Sequence, residues 1–168
     1  MSVIRIEDIA HVRFRAPDLA AMQAFLEQFG LEVAQADGTR LFMRGQGGAP
    51  FLHVTEQGDA GFAAVGFRAA SLADLQTLAT AEGVVVEPLD APGGGSVVRL
   101  TDPDGHQVEV VAGQAWGEPA AFAPRPPWNS VETRARLRAV KRTGQGPAHV
   151  IRLGHAVLGV SDFRASEA

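Results

Sequence analysis

Ile9-Ala10-His11-Val12-Arg13-Phe14-Arg15-Ala16-Pro17-Asp18 is the stretch on which the fold turns, because it recurs. The second copy is Phe62-Ala63-Ala64-Val65-Gly66-Phe67-Arg68-Ala69-Ala70-Ser71, and the third is Leu153-Gly154-His155-Ala156-Val157-Leu158-Gly159-Val160-Ser161-Asp162. Each copy alternates as a half-buried strand does and ends on a side chain that can cap a helix. In the first copy Ile9, His11, Arg13 and Arg15 share one face, and Ala10, Val12 and Phe14 the other.

Working outward from each copy, the same series of elements follows. After Asp18, apolar Leu19, Met22, Phe25, Leu26 and Phe29 recur at helical spacing until Gly30. Residues 31–35 and 39–44 read as a hairpin about Asp37-Gly38, and 50–56 as a further strand. After Ser71, which opens a Ser-x-x-Asp box with Asp74, the stripe Leu72, Leu75, Leu78, Ala79 runs to Gly83. Strands are expected over 84–87, 96–101 and 107–111, the last two joined by the turn Asp102-Pro103-Asp104-Gly105. The two helix caps are 53 positions apart, a repeat of one supersecondary unit.

The expected fold is therefore α+β: paired βαβββ modules, about 6–57 and 61–112, forming a curved mixed sheet with helices outside and a concave cleft. Residues 113–149 read as a Pro-rich linker with a short basic helix over 131–142. The third copy opens a further module at 150, which stops at Ala168 where its helix should begin, so 150–168 reads as the truncated start of a second domain.

Composition narrows the function. The 168 residues are 46% hydrophobic and 20% charged with a formal net charge of -4, the profile of a globular protein without the basic face of a nucleic-acid binder. No apolar run reaches membrane-spanning length and no signal-peptide core opens the chain, which leaves a cytoplasmic protein as the expectation. With no cysteine, disulfides and thiolate chemistry are excluded, and any metal must be held by His and carboxylate.

Superimposing the modules sets His11 against Ala64 and, by matching Phe51-Leu52-His53-Val54 to Gln107-Val108-Glu109-Val110, sets His53 against Glu109. Brought together at the bottom of the cleft, His11, His53 and Glu109 make a two-His, one-carboxylate set suited to Fe(II), Mn(II) or Zn(II). The plainer alternative stays open: strand histidines are more often structural, and Glu109 beside a turn can be a solvated residue. Arg13, Phe51 and Arg68 are expected to line the cleft, with Phe62, where they could hold a small, partly aromatic anion without metal. The Gly93-Gly94-Gly95 run lacks the Lys-Ser/Thr and the helix that a phosphate loop requires.

The duplicated unit, with Asp102-Pro103-Asp104-Gly105-His106 leading into Val108-Glu109-Val110, resembles the vicinal oxygen chelate superfamily of glyoxalase I, bleomycin-resistance proteins and type I extradiol ring-cleavage dioxygenases. Residues 151–158 after the linker look like the interdomain passage of the extradiol enzymes. That resemblance implies the front part of an Fe(II)- and O2-dependent enzyme acting on a small aromatic or vicinal-diol substrate. His155 would be the first iron ligand, with its companions beyond Ala168, so that this chain alone would be inactive. It also implies that His11 and Glu109 are vestiges, with Ala64 marking a lost ligand, while His53 falls where glyoxalase-type members place one. The alternatives are a metal-free binding protein of the bleomycin-resistance type and a glyoxalase-like lyase or isomerase. Pairing of such units between chains implies a homo-oligomer, such as a dimer.

Overall fold

The computed structural model describes residues 3–121, 131 and 146–167. The first copy of the repeated stretch forms β1 (Ile6–Ala16), and Asp18 then caps α1 (Leu19–Phe29) by accepting a hydrogen bond from the Ala21 amide at 2.9 Å. The helix ends at Gly30, whose φ of 110° places it in the left-handed region where a side chain would be strained. There follow β2 (Glu32–Ala36), β3 (Arg40–Arg44) and β4 (His53–Gln57). The second copy forms β5 (Gly61–Ala69), and Ser71 caps α2 (Leu72–Glu82) by accepting from the Asp74 amide at 3.1 Å. The module finishes with β6 (Glu87–Pro88), β7 (Ser96–Thr101) and β8 (Gln107–Ala112).

All eight strands join one curled sheet in the order β2-β3-β4-β1-β5-β8-β7-β6. β1 and β5 pair antiparallel at its centre, β4 runs parallel to β1 and β8 parallel to β5, so each half repeats the other about a pseudo-two-fold axis. This is the expected α+β architecture of two βαβββ modules.

Alternation along the strands divides the apolar residues among three clusters. On the outer face, Leu26 and Leu31 pack with Leu41, Met43 and Leu52 beneath α1, and Leu75, Leu78 and Ala79 of α2 pack on Val98 and Val110. The concave face carries a third cluster of Phe42, Phe51, Val54, Val97 and Val111, closed over by Leu89.

Two expected strands come out differently. The strand read at 84–87 shrinks to a two-residue β6, because Val84 and Val86 turn instead into the core beneath α2. The third copy forms no strand: residues 150–160 run as irregular backbone along the sheet's outer face, and only α3 (Phe163–Glu167) follows. A strand needs a free neighbour, and β1 is paired on both sides by β4 and β5. The segment is instead pinned by single contacts, the Gln46 amide to the Val150 carbonyl at 2.7 Å and Arg152 to Asp8 at 3.3 Å. The start of the linker lies on the first module, with the Gly117 amide donating to the Gly48 carbonyl at 2.8 Å. The basic helix read over 131–142 lies, apart from Val131, outside the described residues. No helix among the described residues is long and apolar enough to cross a membrane.

Candidate functional site

His11 points into the concave face at the seam between the modules, fully buried. Its Nε2 lies 2.8 Å from Glu109 Oε2, where the ring N–H donates to the carboxylate, and its ring packs on Phe51 with centroids 4.9 Å apart. The seam admits the imidazole because its partner across β5 is Gly66, which has no side chain to occupy the space.

Glu109 is also buried, and it serves three donors. Besides His11, Arg13 donates to Oε2 at 3.0 Å and Arg99 donates to Oε1 at 3.1 Å. Arg13 also donates to Glu56 at 2.8 Å, and Arg99 pairs with Glu87. Burial would raise the Glu109 pKa, but the hydrogen bond from His11 and the charges of Arg13, His11 and Arg99 outweigh it and hold the carboxyl at about 2. The result is a six-residue charge network, buried at His11 and Glu109 and opening to solvent towards Glu56 and Glu87, that ties β1, β4, β6, β7 and β8 together. A polar cavity of about 370 Å³ adjoins it, lined by Arg13, Arg15, Glu56, Arg99 and Glu109 among others.

His53 is not part of this cluster. The β1–β4 register pairs Val12 with His53 and Arg13 with Val54, whereas β5–β8 pairs Val65 with Val108 and Gly66 with Glu109. The structural equivalent of Glu109 is therefore Val54, and that of His53 is Val108. The offset between the fourth strands is 55, two more than between the helix caps. Matching Phe51-Leu52-His53-Val54 to Gln107-Val108-Glu109-Val110 thus slips the strand by one position, and one position sends a side chain to the opposite face. His53 stands on the outer face beneath α1, stacked on Phe14 with centroids 5.5 Å apart.

The four positions that converge about the pseudo-two-fold axis are thus His11, Val54, Ala64 and Glu109. Two of them are aliphatic. Among the described residues no group of three or more His, Asp or Glu is placed to hold a metal ion. A divalent cation at His11 and Glu109 would have to displace two guanidinium hydrogen bonds and sit beside two fixed positive charges. These residues do not fit a metal.

The remaining candidates are separated. Phe51 forms part of the cleft floor and is buried against His11 and Phe42. Arg68 shares the concave side but lies further along β5, ion-paired to Glu7 at 3.0 Å with its guanidinium 4.8 Å from the Trp116 ring. His155 is exposed on the irregular segment, against Asp8, Ile9, Val65 and Phe67 on the outer face. His106 follows the hairpin turn, its amide donating to the Asp102 carboxylate at 2.7 Å.

Arg99 and Glu56 escaped the reading of the sequence. Arg99 was within reach: counting outward from the Asp102-Pro103-Asp104-Gly105 turn sets it directly across from Glu109. Glu56 was not, because its partner Arg13 lies on a parallel strand 43 residues away.

Burial in apolar surroundings pushes the His53 pKa down to about 4. Its folded value lies below the unfolded one, so the unfolded chain binds more protons and stability falls as pH drops from about 6.5 towards 4. The expected loss approaches about 3 kcal/mol by pH 4. Urea unfolding of the wild type and of His53→Leu at pH 7 and pH 4.5 checks this; the variant should lack the limb, and parallel curves would refute it.

Comparison with known proteins agrees with this architecture. Residues 8–110 match the model of the Glyoxalase/Bleomycin resistance protein/Dioxygenase superfamily. The metapyrocatechase of Geobacillus stearothermophilus is 28% identical over 172 residues, which is 95% of this chain and 48% of that protein. The chain thus spans about half the length of the curated relative it matches. The Mn(II)-bound glyoxalase from Novosphingobium aromaticivorans superposes with a TM-score of 0.64 at 28% identity, covering 71% of this chain and 43% of that one. Homoprotocatechuate 2,3-dioxygenase from Brevibacterium fuscum, in its complex with 3,4-dihydroxyphenylacetate, shares the fold with a TM-score of 0.60 at 23% identity, covering 69% of this chain and 39% of that one. With the module pair, its seam and the matched span in agreement, the chain belongs to the glyoxalase/bleomycin resistance protein/dioxygenase superfamily.

Proposed function

We propose that this chain is the leading part of a metal-dependent dioxygenase that opens catechol-type rings with Fe(II) and O2. One observation carries the reading. The similarity to metapyrocatechase covers 95% of this chain, and so continues past the module pair into the segment that holds His155. His155 is exposed and makes no hydrogen bond among the described residues, as suits a ligand whose companions belong to a further domain. In this reading 1–112 is a structural domain, 113–149 a linker and 150–168 the opening of the domain that holds the metal. The metal-bound glyoxalase among the neighbours supports a metal in general; Fe(II), rather than Mn(II) or Zn(II), is part of the proposal.

The residues described here do not form the metal site. His155 offers one nitrogen, and the His11–Glu109 pair is occupied by Arg13 and Arg99. What the module pair supplies is a rigid platform: its seam is locked by buried charge, and its outer face receives the segment that carries His155. The metal-free alternative, with an anion held by Arg13 and Arg68, meets two guanidiniums that already have carboxylate partners.

The test is oxygen uptake with catechol and 3,4-dihydroxyphenylacetate after anaerobic Fe(II) loading. A protein extended past Ala168 by its own coding sequence is expected to turn over, and the 168-residue chain is not. In the extended protein His155→Ala should lower kcat/KM by roughly a thousandfold. His11→Ala should leave it within about threefold if the protein folds. An extended protein that binds iron but is inert toward both catechols would overturn the proposal.

A further inference from the structure

The two modules differ beneath their helices. α2 buries Leu75, Leu78 and Ala79, and Ile4, Val84, Val86 and Leu100 fill the space around them. α1 buries Leu26, which joins Leu31, Leu41, Met43 and Leu52 in a cluster with Met22, Val33, Ala49 and Val150 beside it, and leaves Phe25 and Phe29 outside that cluster. Beneath the helix lies a hollow of about 590 Å³, within the range of small-molecule sites. Its walls are apolar and mainly aliphatic, with three phenylalanines, Phe14, Phe25 and Phe29, among them. Phe25 and Phe29 stack on each other at 6.4 Å yet remain 60% and 57% exposed, large apolar rings turned along the rim instead of closing the core. The hollow lies between α1 and the segment at 150–154, which supplies Val150, Arg152, Leu153 and Gly154 to its wall.

Two ionisable side chains line the hollow, His53 and Arg152. Arg152 stands at the mouth, 70% exposed and paired with Asp8 at 3.3 Å, so water screens the little charge it could offer a ligand inside. His53 is neutral at pH 7. Its Nδ1 is 3.4 Å from the Thr55 hydroxyl, and its Nε2 has no partner among the described residues. A ligand carrying charge would have to shed its water against hydrocarbon walls without compensation. A hydroxyl group suits Nε2 in either tautomer, because it donates to a bare nitrogen and accepts from a protonated one.

We propose that the hollow under α1 is a binding site for a small, neutral aromatic molecule bearing a hydroxyl group, its ring held among Phe14, Phe25 and Phe29 and its hydroxyl hydrogen-bonded to His53 Nε2. The site needs no metal and does not depend on ring cleavage elsewhere.

The probes are 2-naphthol, its hydroxyl-free analogue 2-methylnaphthalene and the anion 2-naphthoate, titrated into the 168-residue chain. Amide chemical shifts report location and calorimetry reports affinity. Saturable binding of 2-naphthol is expected, with shifts on α1 and β4, and 2-naphthoate should bind at least about tenfold more weakly. His53→Leu should weaken 2-naphthol about tenfold and leave 2-methylnaphthalene within about twofold. Phe29→Ala, at an exposed wall position, should weaken both aromatic probes about fivefold and guards against a His53 variant that fails to fold. The proposal is overturned by absent or unsaturable 2-naphthol binding, by equal binding of naphthol and naphthoate, or by a His53→Leu variant that affects both neutral probes alike. Sedimentation runs alongside: a dimer that dissociates in Phe29→Ala and excludes the probes would make the hollow an interface between copies and equally overturn it.

Discussion

Replacing Gly66 with alanine is expected to cost about 3 kcal/mol of folding stability, among the largest effects of any single methyl group in this chain. A Cβ at Gly66 would stand 2.2 Å from His11 Cε1, 2.4 Å from Nδ1 and 2.7 Å from Nε2, inside the contact distance of every ring atom named. Neither side can yield cheaply. β5 is hydrogen-bonded to β1 and β8 along its length, so its backbone cannot retreat without breaking ladders on both sides. The imidazole is enclosed by Phe51 and held by Glu109, so moving it breaks the buried pair and leaves a carboxylate short of a donor. Urea unfolding measures the loss. The double variant His11→Ala/Gly66→Ala provides the sharper check, because the added methyl then enters the space the ring vacated. The cost of Gly66→Ala should fall below about 1 kcal/mol in the His11→Ala background, a coupling of about 2 kcal/mol. An equal cost in both backgrounds would show that the glycine is needed for some other reason.

Glu109→Ala should destabilise by about 4 kcal/mol at neutral pH. The carboxylate is the shared acceptor of His11, Arg13 and Arg99, and its loss leaves the buried His11 ring N–H without an acceptor and takes from Arg13 and Arg99 one of the two carboxylates each is paired with. Arg13 Nε and His11 Nδ1 are already buried without partners, so the seam has little spare capacity to satisfy more. The same residue predicts an acid limb. Its folded pKa of about 2 lies below the unfolded value of 4.5, so its contribution is complete above about pH 4.5 and is lost as pH falls towards 2. That limb is worth about 3 kcal/mol. The difference between the wild-type and Glu109→Gln stability curves should shrink over that window as the wild-type carboxyl takes up its proton. A difference that stays constant from pH 5 to 2.5 would show that the network does not hold the carboxylate charged.

These effects depend on a seam whose parts were unequally visible beforehand. The duplication, both helix caps, both glycine stops and the turn before β8 could be read directly, because each is a contact between residues a few positions apart. Asp18 reaches Ala21, Ser71 reaches Asp74 and Asp102 reaches His106. The inward direction of His11 followed from strand alternation joined to the repeat. His53 was assigned to the wrong face by a single position, since the length of an intervening loop does not reveal how two parallel strands align. The third copy shows the reverse difficulty: a strand-like pattern is necessary for a strand, but a vacant edge is necessary too, and the chain described here has none beside β1.

Order along the chain was thus sufficient for whatever is secured locally: the paired modules, their boundaries, the side of the sheet that carries His11, and the absence of thiol chemistry. Packing alone settled the rest. It placed Arg13 and Arg99 on the one carboxylate that a metal would need, sent His53 beneath α1, and left an apolar hollow between α1 and the segment at 150–154. The physical reason is range. Caps and turns are satisfied within a handful of residues, whereas the buried Glu109 finds His11 98 positions away and the core is filled from equally distant parts of the chain, and only the closed sheet brings those within reach.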